Sequence, residues 1–209
     1  MPLHLTEEIE NVGVVAVWKS TESEEELLKL RPLSEQENSD FFLLKNAKRR
    51  REWLIIRILL EHLTGKDFLM RYLPNGKPLL LRPKMFLSIS HSADFVAVFI
   101  SPNRETGIDI ERMKENMGLL KHKFLSSEEL ELTKDADNQL LHIYWGAKEA
   151  MYKMYSFCSP LFTQHLSVFG IDYQKGTAIG TVKKEGLNKN ATVFFRQIEN
   201  NMLVCCFEK

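Results

Sequence analysis

The chain has 209 residues, 44% hydrophobic and 27% charged, a composition typical of soluble globular proteins. Its 28 basic residues equal its 28 acidic ones, which argues against a nucleic-acid-binding protein, because such proteins usually carry a basic excess. The three cysteines lack metal-binding spacing, so neither a disulfide framework nor a zinc site is expected. A signal peptide and a membrane span are not predicted, and we expect a cytoplasmic protein.

The first half of the sequence predicts a strand, then helices, then strands. Residues 12–18 are apolar and β-branched, as in a buried strand. Capping boxes at Ser23 and Ser34, each with Glu three positions later, mark two helix starts. The second helical stretch is expected to bend or break near residues 45–46 and to end at Gly65. A strand at residues 86–90, a turn at 91–94 and a second strand at 95–100 follow.

The second half repeats this order. A short strand is predicted at residues 107–111, because its residues alternate between two faces. Helical patterns and then strand patterns follow it. The sequence therefore predicts an α+β fold of two similar halves, residues 1–105 and 106–209, with a pseudo-twofold arrangement. The expected helices lie at 117–123, 126–132 and 138–155, and the expected strands at 168–173, 178–183, 191–198 and 202–207.

Two carboxylates are predicted to share one face of the strand at residues 107–111. Asp109 and Glu111 are two positions apart, so both side chains point to the same side. Such a pair forms part of a Mg²⁺ site, since Mg²⁺ prefers oxygen ligands and retains waters and substrate phosphates. The alternative is an edge strand with one solvated face. Ile108 and Ile110 favour the metal site, because they would anchor the strand in a core.

The helix predicted at residues 138–155 carries a second charged cluster. Trp145, Glu149 and Lys153 are spaced by four and share one face. The alternative is a surface Glu–Lys pair of little energetic value. Trp145 indicates that the face points inward, where a carboxylate and an ammonium need partners. A metal ion and a phosphate would supply them.

Two further segments could bind an anion. Residues 88–92 are polar at a predicted strand end, where Ser90, His91 and backbone N–H groups could hold a phosphate; a simple polar turn is the alternative. The basic run at residues 48–51, followed by Arg57, fits a nucleotide phosphate better than nucleic acid. A solvated helix face is the alternative there.

In this order, the segments resemble the 4′-phosphopantetheinyl transferases, in particular the longer, two-half (Sfp-type) members. Residues 107–111 match the family signature G-[IV]-D-[IV]-E, and residues 145–153 match W-x-x-K-E-[AS]-x-x-K. Shorter similarities lie at residues 49–57, 75–78, 86–92 and 124–129. The matches span residues 48–153, and one departure is Trp53, where the family often has a small residue or His.

The resemblance implies transfer of the phosphopantetheine arm of coenzyme A to a serine of an apo acyl or peptidyl carrier protein, leaving 3′,5′-ADP. It implies Mg²⁺, for which Mn²⁺ could substitute, and a monomer with its site between its halves. The runner-up is a non-catalytic coenzyme A- or carrier-binding paralogue, and the carrier's pathway is left open. The implied metal ligands are Asp109, Glu111 and Glu149. The implied catalytic residues are Glu149, Lys153 and Asp109, with Glu149 as the base that acts directly or through a water. The implied coenzyme A contacts are Arg49, Arg57, Lys77, Ser90, His91 and Lys153.

The segment between the two signatures is a candidate docking edge for the carrier. Carrier domains are commonly acidic around their serine, and complementary charge favours association. An ordinary amphipathic helix is the equally weighted alternative. The apolar residues of the edge are Met113, Met117 and Leu119, and its basic residues are Lys114, Lys121 and Lys123.

Overall fold

Residues 3–209 are described by the computed structural model, and their first half forms one antiparallel sheet with three helices. The sheet has six strands in the order β1-β2-β6-β5-β4-β3. The elements are β1 (Leu3–Ile9), β2 (Gly13–Lys19), α1 (Glu24–Leu30), α2 (Glu35–Phe42), α3 (Ala47–Thr64), β3 (Leu69–Tyr72), β4 (Pro78–Arg82), β5 (Lys84–Ser92) and β6 (Phe95–Ser101).

The second half forms a five-stranded antiparallel sheet in the order β7-β11-β10-β9-β8. Its elements are β7 (Thr106–Arg112), α4 (Ser127–Leu132), α5 (Asn138–Met154), β8 (Leu166–Asp172), β9 (Thr177–Lys184), β10 (Leu187–Ile198) and β11 (Asn201–Glu208). Short 3₁₀ turns lie at Met117–Leu119, Lys121–Lys123 and Ser156–Cys158.

The two halves share one topology once β1 is set aside. In each, a strand leads through helices into four consecutive strands, and the last of these pairs with the first strand: β6 with β2, and β11 with β7. This arrangement confirms the predicted α+β class. The resemblance also implies that residues 1–105 contact the nucleotide end of coenzyme A and that residues 106–209 carry the metal-binding and catalytic motifs. This functional division stays a prediction.

Helix boundaries follow from local capping. Ser23 and Ser34 both form the predicted capping boxes. The break between α2 and α3 arises because Asn46 caps α3 by accepting a hydrogen bond from the Arg49 N–H at 3.2 Å. Gly65 ends α3 with φ +88°, a conformation that glycine adopts without steric cost.

Some sequence predictions of local structure are wrong or incomplete. The helix expected at residues 117–123 is instead two 3₁₀ turns, and Gly118 within it disfavours a continuous α-helix. The strands β1, β3 and β4 were not predicted. They are edge or near-edge strands with several exposed side chains, so each gives only a short hydrophobic signal in the sequence.

Apolar residues arrange the two halves as stacked layers. The outer face of the first sheet packs against α3, and the outer face of the second sheet packs against α5. The inner faces meet in a third cluster that includes Val17, Phe99 and Leu203. Ile108 and Ile110 of β7 are fully buried in this cluster, so β7 is anchored as predicted. No helix within residues 3–209 is long and apolar enough to cross a membrane.

Candidate active site

Strand β7 and helix α5 bring the two predicted charged clusters together. Asp109 lies opposite Val204 in the β7–β11 ladder, on the sheet face that packs against α5. Lys153 reaches across from α5 and places its Nζ 2.8 Å from Asp109 Oδ1. Glu111 and Glu149 are close enough to Asp109 for their charges to interact. The residues of both signatures therefore form one site.

Lys153 is held by three acceptors. Besides Asp109 Oδ1, its ammonium donates to Ser90 Oγ at 2.9 Å and to the Ile108 carbonyl at 3.0 Å. Its side chain is still 29% exposed. The amine is thus fixed beside the carboxylates while part of it faces solvent, where an incoming anion could meet it.

The second oxygen of Asp109 has no such partner. Asp109 is 2% exposed, and its Oδ2 is buried with no hydrogen-bond partner. Buried polar atoms are nearly always hydrogen-bonded, so an exception calls for a reason. A cation bound at Oδ2 would satisfy it.

The carboxylates raise one another's affinity for protons. Burial, followed by the charge of Asp109, raises the pKa of Glu149 to about 7, although Lys153 acts in the opposite direction. Burial and Asp109 also raise the pKa of Glu111. Burial is the larger cause of both pKa shifts and the Asp109 charge adds to it, so the Lys153 ammonium does not fully offset the two effects.

The carboxylate oxygens of Asp109, Glu111 and Glu149 are of the type that binds magnesium, although the three side chains do not point at one common position. Within residues 3–209 no three His, Cys, Asp or Glu side chains stand as a ready-made metal centre. Mg²⁺ is usually bound through only one or two carboxylates, together with waters and substrate phosphates, so a preformed protein cage is not required. Two features fit a bound Mg²⁺ ion: the Asp109 Oδ2 atom that has no hydrogen-bond partner, and the presence of three carboxylates beside the single ammonium of Lys153.

The predicted anion-binding residues of β5 point in opposite directions. Ser90 is 6% exposed and lies on the carboxylate side, 3.0 Å from Asp109 Oδ1. His91 lies on the other side, toward α3, where its Nε2 is 2.8 Å from Arg49 Nη1 and its Nδ1 is 3.3 Å from Glu52 Oε1. Burial lowers the pKa of His91, and Glu52 opposes that effect.

His91 and Arg49 line a cavity of about 470 Å³ between α3 and the turn after β3. Polar and aromatic side chains converge there, an arrangement typical of a small-molecule site. Other lining residues include Glu52, Trp53, Ile56, Tyr72 and Pro78.

Two predicted phosphate contacts do not line this cavity. Arg57 is buried, stacks over the ring of Trp53 and pairs with Glu37 at 3.3 Å; burial lowers its pKa to about 10. Lys77 donates to Glu105 at 2.8 Å and to the Met154 carbonyl at 3.0 Å, bridging the halves. In these positions both side chains already have partners, and their phosphate-binding roles stay predictions.

Lys148 has a function that the sequence did not reveal. Its side chain is fully buried, and its ammonium pairs with Glu129 and donates to the carbonyls of Phe124 at 2.8 Å and Phe162 at 2.9 Å. Glu129 also accepts from the Val168 N–H at 2.9 Å. Lys148 therefore ties α5, α4 and β8 together. The sequence signals were the place of Lys148 in the signature of residues 145–153 and the similarity of residues 124–129 to a family segment containing Glu129.

A second groove, of about 440 Å³, begins at Glu111 and runs along the segment that follows β7. Its walls are apolar and aromatic, with basic residues among them. Trp145, on the predicted inward face of α5, packs edge-on against Phe124 at 5.3 Å between ring centroids. The lining residues include Arg112, Lys114, Met117, Leu120, Lys123, Phe124, Trp145 and Phe162.

Residues 105–195, which contain β7, α5 and the carboxylate cluster, match the family described as the 4′-phosphopantetheinyl transferase superfamily. The family that this region matches is the one that the sequence signatures resemble. The chain is 32% identical over 112 residues to the 4′-phosphopantetheinyl transferase AcpT of Salmonella typhimurium. It is 34% identical over 113 residues to the protein of that name from Escherichia coli.

These alignments cover half of the chain, and 58% and 57% of the two relatives. The chain therefore matches somewhat more than half the length of each of these curated proteins.

Proposed function

We propose that this protein transfers the 4′-phosphopantetheine arm of coenzyme A to a serine of an apo carrier protein, releasing 3′,5′-ADP in a Mg²⁺-dependent reaction. The observation that carries the proposal is the unpartnered Oδ2 of Asp109, buried beside two further carboxylates and a lysine. These residues lie within the domain that matches the superfamily. The names of the curated relatives support the same activity.

In this proposal Asp109, Glu111 and Glu149 hold the metal ion. When bound, Mg²⁺ would neutralise charge on the pyrophosphate of coenzyme A and orient it for transfer. Glu149 accepts the proton of the carrier serine, directly or through a water. Lys153, already seated beside Asp109 and partly exposed, stabilises the negative charge on the leaving 3′,5′-ADP.

The nucleotide end of coenzyme A would occupy the cavity at His91. Arg49 and His91 face each other there, and both can donate hydrogen bonds to a phosphate. Ser90, Arg57 and Lys77 are also proposed to contact coenzyme A, although each has protein partners in this structure. Ser90 points away from the His91 cavity, so its contact would be with the part of coenzyme A that reaches the carboxylate cluster. Binding would then require Arg57 or Lys77 to exchange a partner for the ligand.

His91→Ala is expected to raise KM for coenzyme A by roughly 10- to 100-fold, the equivalent of a hydrogen bond to a charged group. The same variant should change KM for dephospho-coenzyme A much less, since that substrate lacks the 3′-phosphate. Steady-state kinetics with both substrates would measure the difference. His62→Ala, at an exposed position near the end of α3, is the control. Equal losses on both substrates would contradict the assignment.

We propose that the carrier docks over the groove beside Glu111. The groove has apolar walls and is also lined by Arg112, Lys114 and Lys123. This lining complements a carrier surface that is acidic and amphipathic. Leu119 is 73% exposed next to this groove, as expected of a contact residue on the predicted docking edge. The Lys121 ammonium instead donates to the Thr133 carbonyl at 3.1 Å.

Leu119→Asp is therefore expected to raise KM for the carrier by roughly 10-fold or more, through lost apolar contact and charge repulsion. KM for coenzyme A should stay unchanged. Leu132→Asp is a matched control, because Leu132 is also 73% exposed and lies outside the proposed docking edge. Similar effects of the two substitutions on the carrier KM would count against this docking surface.

We propose that the enzyme acts as a monomer in the cytoplasm, since one chain supplies both sides of the site and the composition is that of a soluble protein. The test of function is release of 3′,5′-ADP from coenzyme A and Mg²⁺ with a panel of apo carriers. Release that depends on a carrier would support the transferase. Tight binding of coenzyme A without release across the panel would favour the non-catalytic paralogue.

A further inference from the structure

A row of three serines on β5 faces the free edge of β7. Ser88, Ser90 and Ser92 alternate along the strand and therefore point to one side. Strand β7 pairs with β11 along its other edge, so the N–H groups of the free edge need other acceptors. The serine hydroxyls accept from the N–H groups of Ile108 at 3.0 Å, Ile110 at 3.2 Å and Arg112 at 3.1 Å, respectively.

Two of these serines also touch the carboxylate cluster. Ser90 Oγ lies 3.0 Å from Asp109 Oδ1, and Ser92 Oγ lies 3.1 Å from Glu111 Oε2. A hydroxyl has one proton to donate and two lone pairs to accept with. The hydroxyl oxygens of Ser90 and Ser92 each accept a hydrogen bond from a β7 N–H group. The hydroxyl proton of each serine is therefore free to donate to the neighbouring carboxylate, Asp109 or Glu111. Ser88 makes only the backbone contact among the described residues.

We propose that Ser92, together with Ser90, is a positioning residue that orients the metal-binding carboxylates of β7 from the other half of the chain. The inference rests on the proposed function, because it assumes that Asp109 and Glu111 bind Mg²⁺. Groups that hydrogen-bond to metal ligands fix ligand orientation, and their loss typically lowers metal affinity by roughly 10- to 100-fold. Ser92 is the cleaner case, since Ser90 also accepts from Lys153.

A purely structural role for the row is the competing explanation. Free strand edges need protection, and three hydroxyls that cap backbone N–H groups would provide it. Ser88 separates the two explanations, because Ser88→Ala removes the backbone contact at Ile108 and leaves both carboxylate contacts intact. If Ser88→Ala and Ser92→Ala change metal binding equally, the cause is the lost contact with the β7 edge. If only Ser92→Ala changes metal binding, the cause is the lost contact with the Glu111 carboxylate.

The test is Mn²⁺ binding by the full chain with saturating coenzyme A, measured from the electron paramagnetic resonance signal of free Mn²⁺. Ser92→Ala is expected to weaken Mn²⁺ binding by about 10-fold or more, and Ser88→Ala to leave it unchanged. Thermal melting of each variant reports the loss of the edge contact separately. Ser92→Thr and Ser92→Val introduce side chains of equal shape, of which only threonine has a hydroxyl. The threonine variant should therefore keep the Mn²⁺ affinity that the valine variant loses.

Equal Mn²⁺ affinities for Ser92→Ala and Ser88→Ala, or for the threonine and valine variants, would overturn the positioning role. Failure of the proposed function gives a different result: the unmodified protein would bind coenzyme A but show no Mn²⁺ binding at all. If Ser92→Ala does not fold, the comparison between threonine and valine at the same position still decides the question.

Discussion

Asp109→Asn is expected to lower the rate of phosphopantetheine transfer by roughly 100- to 10,000-fold, because a bound metal ion contributes several kcal/mol of charge stabilisation. The substitution preserves the volume of a side chain that is 2% exposed. It removes the charge that pairs with Lys153 through Oδ1, and it also relieves the repulsion from Glu111 and Glu149. These two effects act in opposite directions, so stability in the absence of metal should change little. Transfer kinetics and thermal melting of the same preparation would measure both effects.

Asp67→Asn provides the control for this experiment. Asp67 is exposed on the connection between α3 and β3, away from the carboxylate cluster, and its substitution should leave transfer unchanged. Near-normal turnover by Asp109→Asn would refute the metal-ligand assignment. A loss of folding in that variant would show instead that the carboxylate is part of the structural core.

The second large effect is expected at Lys148. Lys148→Met removes one partner of a buried pair with Glu129 and should lower the free energy of unfolding by about 3–5 kcal/mol, because it leaves an uncompensated buried carboxylate. Adding Glu129→Gln should recover part of the loss, since the double variant no longer buries a charge. Chemical denaturation of the two variants would measure this.

An exposed pair at the C-terminal end of α4 offers a comparison. Lys134 and Glu131 are paired with side chains 65% and 70% exposed, and surface pairs are worth at most about 1 kcal/mol. Lys134→Met should therefore change stability little. If Lys148→Met instead left stability intact and abolished transfer, Lys148 would belong to the catalytic machinery.

The carboxylate site was predictable because its information is local. The alternation of residues 107–111 and the four-residue spacing of Glu149 and Lys153 fix which side chains share a face. Burial of Ile108 and Ile110 then follows from the same alternation. Residue spacing cannot show that the carboxylate face of residues 107–111 meets the Glu149–Lys153 face of α5, and the superfamily resemblance supplied that expectation.

The remaining contacts depend on partners distant in the sequence. Lys148 is adjacent to Glu149 in the sequence, but a helix turns by about 100° per residue. The Lys148 side chain therefore points away from the carboxylate cluster and toward Glu129. The period of two along Ser88, Ser90 and Ser92 is visible in the sequence, whereas the strand edge that it covers is set by how the two sheets stack. Lys77 likewise donates to the Met154 carbonyl in the other half of the chain.

The most direct test of the proposed activity is the intact mass of an apo carrier protein after incubation with coenzyme A, Mg²⁺ and this protein. We expect the carrier to gain one phosphopantetheinyl group on a serine, and to gain none when Asp109→Asn replaces the unmodified protein. An unchanged mass for every carrier in a broad panel, or an equal gain with the variant, would contradict a transferase built on the Asp109 site.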